Sequence, residues 1–159
     1  MILHVSAAFQ KRFKCDVSLP GKRLPQDRTR LDGWSCHFIR LGTTPLVVAM
    51  HDATLYTLVI PAKGVKSFGD LWRLLLGRIA ETWREHGEEF DPENQTVMVL
   101  PRTDRSRIGS MNDAILMFRW HRSAVMDIGL EELEERSNRT PYKAIDYKQP
   151  KELLSRMLR

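Results

Sequence analysis

The stretch SFGDLWRLLLGRIAETWREHG, residues 67–87, carries the strongest structural signal in the sequence. Its apolar side chains recur every three or four residues, the spacing that places them on one face of an α-helix. They are Phe68, Leu71, Trp72, Leu75, Leu76, Ile79 and Trp83. Ser67 with Asp70 resembles a capping box, and Gly87 is suited to end the helix. The pattern predicts a helix at residues 68–86 that buries one face against a sheet.

Short apolar segments on both sides of this helix predict the sheet. The candidate strands are residues 34–41, 46–51, 54–60 and 96–100. The first alternates between apolar and polar side chains, and the next two are rich in strand formers and close enough in sequence to form an antiparallel hairpin. The last follows a helix, so parallel pairing is open for it. We predict an α+β fold with a mostly antiparallel sheet and helices packed on it.

The N-terminal third begins with an apolar segment at residues 2–5, which reads as a short strand, and Ser6 is a good N-cap for a brief helix. Residues 15–33 are broken by prolines and glycines and predict a long loop, either a surface connector or a place to bind a ligand. The sequence has no internal repeat and no linker. At 159 residues it is long enough for a core of its own, so we predict a single domain over residues 1–159.

Composition excludes several classes of protein. The sequence is 42% hydrophobic and 28% charged, and no apolar run approaches the ~18 residues of a membrane helix. The N-terminus lacks the pattern of a secretory signal peptide. Cys15 and Cys36 are far apart, without the spacing of a metal site. We therefore predict a cytoplasmic protein with reduced thiols, no membrane association, no metal and no cofactor.

The formal net charge of +5 favours anionic partners. Basic residues concentrate in the N-terminal part, whereas residues 131–135 are acidic. Attraction between these two regions, within one chain or between two copies, explains the asymmetry as well as a nucleic-acid surface does.

The stretch PRTDRSRIGSMNDAILMFRWHR, residues 101–122, is the clearest candidate site. Arginines crowd a short connector, a glycine and a serine follow where a helix is predicted to start, and apolar residues then recur at helical spacing. Backbone N–H groups at a helix start together with guanidinium groups favour an anion. The candidate anion-binding residues are Arg102, Arg105, Arg107, Gly109, Ser110 and Asn112.

Three interpretations of this stretch stay open. In the first, these residues hold the phosphate of a nucleic acid or of a phosphorylated ligand. In the second, the arginines pair with Asp104, Asp113 and the acidic residues 131–135, and the protein is structural or binds a protein partner or a second copy. The third, a hydrolase using His51, Asp52 or Asp113, has no motif behind it, and His37 and His51 read as strand-edge or core histidines. We favour the interaction or structural protein, with the phosphate or nucleic-acid binding module as the alternative.

Several segments together resemble a known family. They are VVAMHDATLYTLVI at 47–60, RSRIGSMND at 105–113, SNRTP at 137–141 and YKQP at 147–150. In combination they are similar to a bacterial family of about this length that is known only as a domain of unknown function. The resemblance covers nearly the whole chain and implies a bacterial, cytoplasmic, single-domain protein. It implies no established activity and no catalytic residues.

Overall fold

The computed structural model describes residues 1–18, 33–123 and 128–159. Most of the predicted loop at 15–33 therefore lies outside the described residues. The strands are β1 (Ile2–Val5), β2 (Gly33–Leu41), β3 (Thr44–His51), β4 (Thr57–Pro61) and β5 (Met98–Pro101). The α-helices are α1 (Ala7–Phe13), α2 (Phe68–Glu85), α3 (Arg105–Ser123), α4 (Leu130–Arg139) and α5 (Pro150–Met157). A 3₁₀ turn at Lys143–Ile145 lies between the last two helices.

In the described part of the chain, the strands form one sheet in the order β4-β3-β2-β1-β5. The pairings of β2 with β3 and of β3 with β4 are antiparallel, whereas β1 pairs in parallel with both β2 and β5. The predicted α+β class is confirmed, and so is parallel pairing of the last strand. The sheet is more mixed than predicted, because the four-residue β1 lies between β2 and β5.

One face of the sheet packs against α1, α2 and α5. Helix α2 buries Leu71, Leu75 and Ile79 there, each at most 2% exposed, as its apolar spacing predicts. The Ser67 hydroxyl accepts from the Asp70 N–H and donates to the Asp70 carboxylate, which confirms the cap. Burial of side chains of this size contributes about 1.5–3 kcal/mol each, so α2 is a main source of stability.

The opposite face of the sheet packs against α3 and α4. Met111, Ile115 and Phe118 of α3 form a second apolar core with Val48 and Met50 of β3. Strand residues alternate between the two faces, so successive residues of one strand belong to different cores. The connection after β1 enters α1 on the first face, and the connection after β5 enters α3 on the second.

Helix α4 lies along β4, the strand at one edge of the sheet. The Asn138 side chain accepts from the Thr57 N–H at 2.7 Å and donates to the Thr57 carbonyl at 2.9 Å. Glu134 accepts from the Val59 N–H at 2.7 Å. Two side chains one helical turn apart thus bond backbone groups that an edge strand would otherwise leave unpaired. This gives the SNRTP segment a structural role.

Candidate functional site

Helix α3 begins at Arg105, earlier than the sequence predicts. Asp104 accepts from the Arg107 N–H at 3.0 Å, so its carboxylate occupies the helix start. The prediction that Gly109 and Ser110 stand at a helix N-terminus is therefore wrong, because both lie inside the helix. The physical reason is that Asp is among the strongest N-caps, and it precedes them by more than one turn. A carboxylate at this position also disfavours a second anion there.

Arg107 is turned toward carboxylates. Its Nη1 lies 3.0 Å from Asp52 Oδ2, and its Nε lies 3.6 Å from Asp104 Oδ2. The Asp52 side chain is only 7% exposed, so the first of these ion pairs is largely buried. The structural interpretation therefore fits Arg107. The acidic residues of α4 have other partners: Glu134 pairs with Arg78, Glu132 with Arg136, and Glu135 with Arg139 and Lys151.

The remaining predicted residues separate into two places. Arg105, Gly109 and Asn112 are exposed on α3, and the Ser110 hydroxyl donates to the Ser106 carbonyl within the helix. A groove of about 360 Å³ runs between α3 and the 3₁₀ turn. It is lined by Arg105, Ser106, Gly109, Ser110, Asp113, Tyr142, Lys143 and Ala144. Arg102 is not among these residues.

Arg102 stands at the carboxyl end of β5, where its N–H donates to the Val5 carbonyl. The side chain is half-buried, and burial lowers the pKa of its guanidinium. Its Nη1 lies 2.8 Å from the Met111 sulfur, a weak and uncharged acceptor. Across the described residues, no carboxylate pairs with Arg102. Arg102 is thus a partly desolvated cation to which the described residues supply no counter-charge.

His37 and Ser6 meet beside Arg102. His37 Nδ1 lies 2.6 Å from the Ser6 hydroxyl oxygen, which also accepts from the Phe9 N–H at 3.2 Å as the N-cap of α1. Burial, followed by the positive charges of Arg102 and Arg119, lowers the pKa of His37 to about 4. The imidazole is therefore neutral at neutral pH. When Ser6 donates to Nδ1, the Nε2–H remains a donor.

These residues lie where two parallel strands end and their connections diverge. Ser6 follows β1, Arg102 follows β5, and His37 is on β2 one residue beyond the pair formed by Val5 and Cys36. In sheets of this kind, ligands bind in the crevice outside the carboxyl ends of neighbouring strands whose connections pass to opposite faces. The place where the strand connections diverge is therefore also the place where Arg102 and His37 lie. We call Ser6, His37, Arg102 and Arg119 the cationic crevice.

A second polar cluster lies deeper on the same face of the sheet. Ser35 donates to Asp52 Oδ1 at 2.8 Å, and His4 Nε2 lies 3.3 Å from Asp52 Oδ2. Gly33 permits this packing, since a Cβ there would lie 2.6 Å from Asp52 Oδ2. Asp52 is thus surrounded by Ser35, His4 and Arg107.

The three residues named for the hydrolase interpretation do not come together. His51 packs between Trp34 and Trp83 in the first core, and its Nδ1 is 2.8 Å from the Thr54 hydroxyl. Asp52, the next residue, belongs to the polar cluster on the other face, and Asp113 lines the groove beside α3. The three residues therefore share no site.

Sequence reasoning missed three members of the cationic crevice: Ser6 as a site residue, His37 and Arg119. A signal was present in the strands. Polar residues recur with period two at His4 and Ser6, and again at Ser35 and His37. Within each strand segment, this spacing places the two polar residues on the same face. Nothing in the sequence shows that the two segments pair with each other, which is what brings their polar residues together.

Three other features can be checked in the described part of the chain: metal binding, membrane-spanning helices and the cysteines. Over residues 1–18, 33–123 and 128–159, no three His, Cys, Asp or Glu side chains are grouped to hold a metal ion. The same residues contain no helix that is long and apolar enough to cross a membrane. Cys15 and Cys36 are free and buried, and burial raises the pKa of both thiols.

Fold and site together define an α+β protein with a cationic crevice at the ends of two parallel strands. The chain belongs to the family described as a domain of unknown function, DUF6933, whose model matches residues 2–153. This confirms the resemblance to an uncharacterised family, and it assigns no activity. Searches of curated proteins and of solved structures found no match.

Proposed function

We propose that this protein binds a small anionic ligand, such as a phosphorylated small molecule, in the cationic crevice. The observation that supports the proposal is the state of Arg102, which is half-buried and has no carboxylate partner among residues 1–18, 33–123 and 128–159. A guanidinium that has lost part of its hydration is costly unless charged acceptors replace the water. An anion supplies such acceptors, and hydrogen bonds between charged groups are the strong ones.

The neighbours of Arg102 fit the same ligand. Arg119 is exposed and, within the described residues, forms no ion pair, while its charge acts on His37. His37 offers a ring N–H, and the charges of Arg102 and Arg119 both act on this ring. Arg107 does not fit, because Asp52 already neutralises it. Of the predicted anion-binding residues, we therefore place Arg102, and not residues 105–112 of α3, at the centre of the proposed site.

A small ligand suits the crevice better than a nucleic-acid backbone does. Nucleic acid is held by a row of exposed cations that contact successive phosphates. Arg102 is instead half-buried at the end of β5, where its guanidinium contacts the Met111 sulfur and its backbone N–H donates to the Val5 carbonyl. One phosphate or carboxylate group matches this arrangement.

The test is titration with inorganic phosphate and sulfate at low ionic strength, followed by calorimetry and by thermal stabilisation. We expect Arg102→Gln to weaken binding by about one to two orders of magnitude, the range for a lost charged hydrogen bond. Arg105→Gln is the matched control, since it removes the same charge from an exposed position three residues along. Equal affinity in wild type and Arg102→Gln would contradict the proposal, as would a wild type that binds neither anion.

Protein interaction is a second candidate, supported by the outer face of α3. Leu116 is 55% exposed and Trp120 is 70% exposed, one helical turn apart. Large exposed apolar side chains at neighbouring positions of a helix favour a protein partner or a second copy. If the face joins two copies, sedimentation of wild type will show a dimer that Leu116→Ser dissociates, whereas Leu74→Ser, at another exposed leucine, will leave it intact. A monomeric wild type at high concentration would exclude self-association.

A further inference from the structure

We infer that His37 takes up a proton when the anion binds and that the Ser6 hydroxyl then reverses its hydrogen bond, so that the affinity for the anion rises as the pH falls. This inference rests on the proposed function, because it concerns the same crevice. It adds a form of regulation that Arg102 alone does not supply.

The geometry fixes the oxygen of Ser6 but not its hydrogen. The hydroxyl oxygen is held by the Phe9 N–H at 3.2 Å and by His37 Nδ1 at 2.6 Å, and the Ser6 backbone N–H donates to the Cys36 carbonyl. A serine hydroxyl has one donor and two acceptor positions. The oxygen can therefore accept from both Phe9 and His37, provided that its own hydrogen turns to a third partner.

The proton balance follows from these roles. In the free protein, the neutral ring carries its hydrogen on Nε2, and Ser6 donates to Nδ1. On binding, one proton from solvent adds to Nδ1, which then donates to the Ser6 oxygen. The Ser6 hydrogen is released to point at the anion, and Nε2–H points there as well. The ligand gains one full positive charge and one further donor, which requires an anion with several acceptor oxygens, such as phosphate or sulfate.

The charges around His37 explain why the proton arrives only with the ligand. Arg102 from the β5–α3 connection and Arg119 from α3 both oppose a positive ring, and burial acts in the same direction. In the part of the chain that the structure describes, the two other groups placed next to the ring are uncharged: Ser6, which follows β1, and Val48, its register partner on β3. His4 lies on the same face but is held by Asp52. An anion on Arg102 cancels the opposing charge and raises the pKa of His37 above its free value of about 4.

The sign of the pH dependence follows from linkage. The bound form has the higher pKa, so binding takes up protons between the two pKa values and affinity rises as the pH falls through this interval. Each pH unit inside the interval is worth up to a tenfold change in Kd for one proton taken up. Below the free pKa of about 4 the ring is already protonated, and the dependence levels off.

Sulfate is the appropriate probe, because its charge is constant over the range from about pH 5 to about pH 8 where histidine titrates. Its Kd is measured by calorimetry across this range for wild type, His37→Gln and Arg105→Gln. We expect wild type and Arg105→Gln to bind more tightly on acidification. His37→Gln should lack the steep rise in affinity on acidification, whatever its affinity at pH 8, since glutamine cannot take up a proton.

Two results would overturn the inference while leaving the proposed function in place. One is a wild-type Kd for sulfate that does not change with pH. The other is an equal slope in His37→Gln, which would assign the proton to another group. Absence of sulfate binding at every pH would remove the proposed function and this inference together. The pKa of His37, followed by NMR, gives a second readout, and it must rise when sulfate is added.

Discussion

Arg107 Nη1 lies 3.0 Å from Asp52 Oδ2, and this ion pair joins the first turn of α3 to the residue that follows β3. Asp52 is almost fully enclosed, whereas the Arg107 side chain is 31% exposed. The arginine that sequence reasoning assigned to a ligand thus holds a helix onto the sheet. Within the described residues, its neighbour Arg102 has no carboxylate partner of this kind, which is why the proposed anion site is centred on it.

The first prediction concerns this ion pair. Arg107→Ala leaves the enclosed Asp52 carboxylate without its cationic partner, so we expect a loss of about 1–3 kcal/mol in the free energy of unfolding. The value is below that of a fully buried pair because Arg107 is partly in solvent. Urea denaturation measures it. Arg105→Ala on the same turn should change stability by less than about 0.5 kcal/mol, and equal losses in the two variants would count against the structural role.

The second prediction uses two adjacent leucines of α2. Leu75 is 2% exposed and Leu74 is 45% exposed. Leu75→Ala should lower the free energy of unfolding by about 2–5 kcal/mol, because it removes buried methyl groups and leaves a cavity. Leu74→Ala makes the same chemical change at the surface and should cost much less. Denaturant midpoints of the two variants test the assignment of the faces, which would be wrong if Leu74→Ala had the larger effect.

The third prediction concerns the bonds from Asn138 to β4. Asn138→Ala leaves the Thr57 N–H and carbonyl without their partners, at about 1–3 kcal/mol for each buried polar group left unpaired. Hydrogen exchange at the Thr57 amide should accelerate along with the loss of stability. Asn112→Ala provides the control, since that asparagine is exposed on α3. Unchanged exchange at Thr57 would show that α4 does not protect the edge.

The fourth prediction is the effect of pH on stability through His37. Its folded-state pKa, about 4, lies below the ordinary value of 6.5, so the unfolded chain binds the proton more tightly. Stability should therefore fall as the pH drops from about 6.5 to about 4 and then stop responding to this group. His37→Gln removes this contribution, so its melting temperature should fall less steeply over that interval. Parallel curves for the two proteins would place the titrating group elsewhere.

The fold was largely predictable where periodicity decides it. The apolar stripe of α2 identified this helix and its buried side, and the alternation in β2 identified the strand. The half-buried character predicted for β2 was wrong, because both of its faces are covered and Ser35 is buried. The sheet order was not predictable, because a four-residue strand such as β1 carries no sign of which neighbours it will pair with. The start of α3 was misplaced because Gly109 and Ser110 resemble a helix start, whereas Asp104 provides the stronger cap.

The site was predictable only in part, for a related reason. The row of arginines drew attention to the connector after β5. Whether each arginine is paired depends on which carboxylate the fold brings to it, and Asp52 reaches Arg107 across 55 residues of sequence. His37 is part of the candidate site because it contacts Ser6, which follows β1. This contact exists only after β1 and β2 have paired.

The hydrogen bonds between α4 and β4 also affect whether copies of the protein aggregate. A strand edge with open N–H and carbonyl groups is a template on which a strand of another molecule can add, and repetition of that step leads to aggregates. Asn138 presents an amide to Thr57 in the manner of a neighbouring strand and occupies that template from within the chain. Heating or protonation of Glu134 could detach α4 and would then expose the backbone N–H and carbonyl groups of β4 while the rest of the sheet stays folded. Under such conditions, we expect the protein to aggregate before it unfolds.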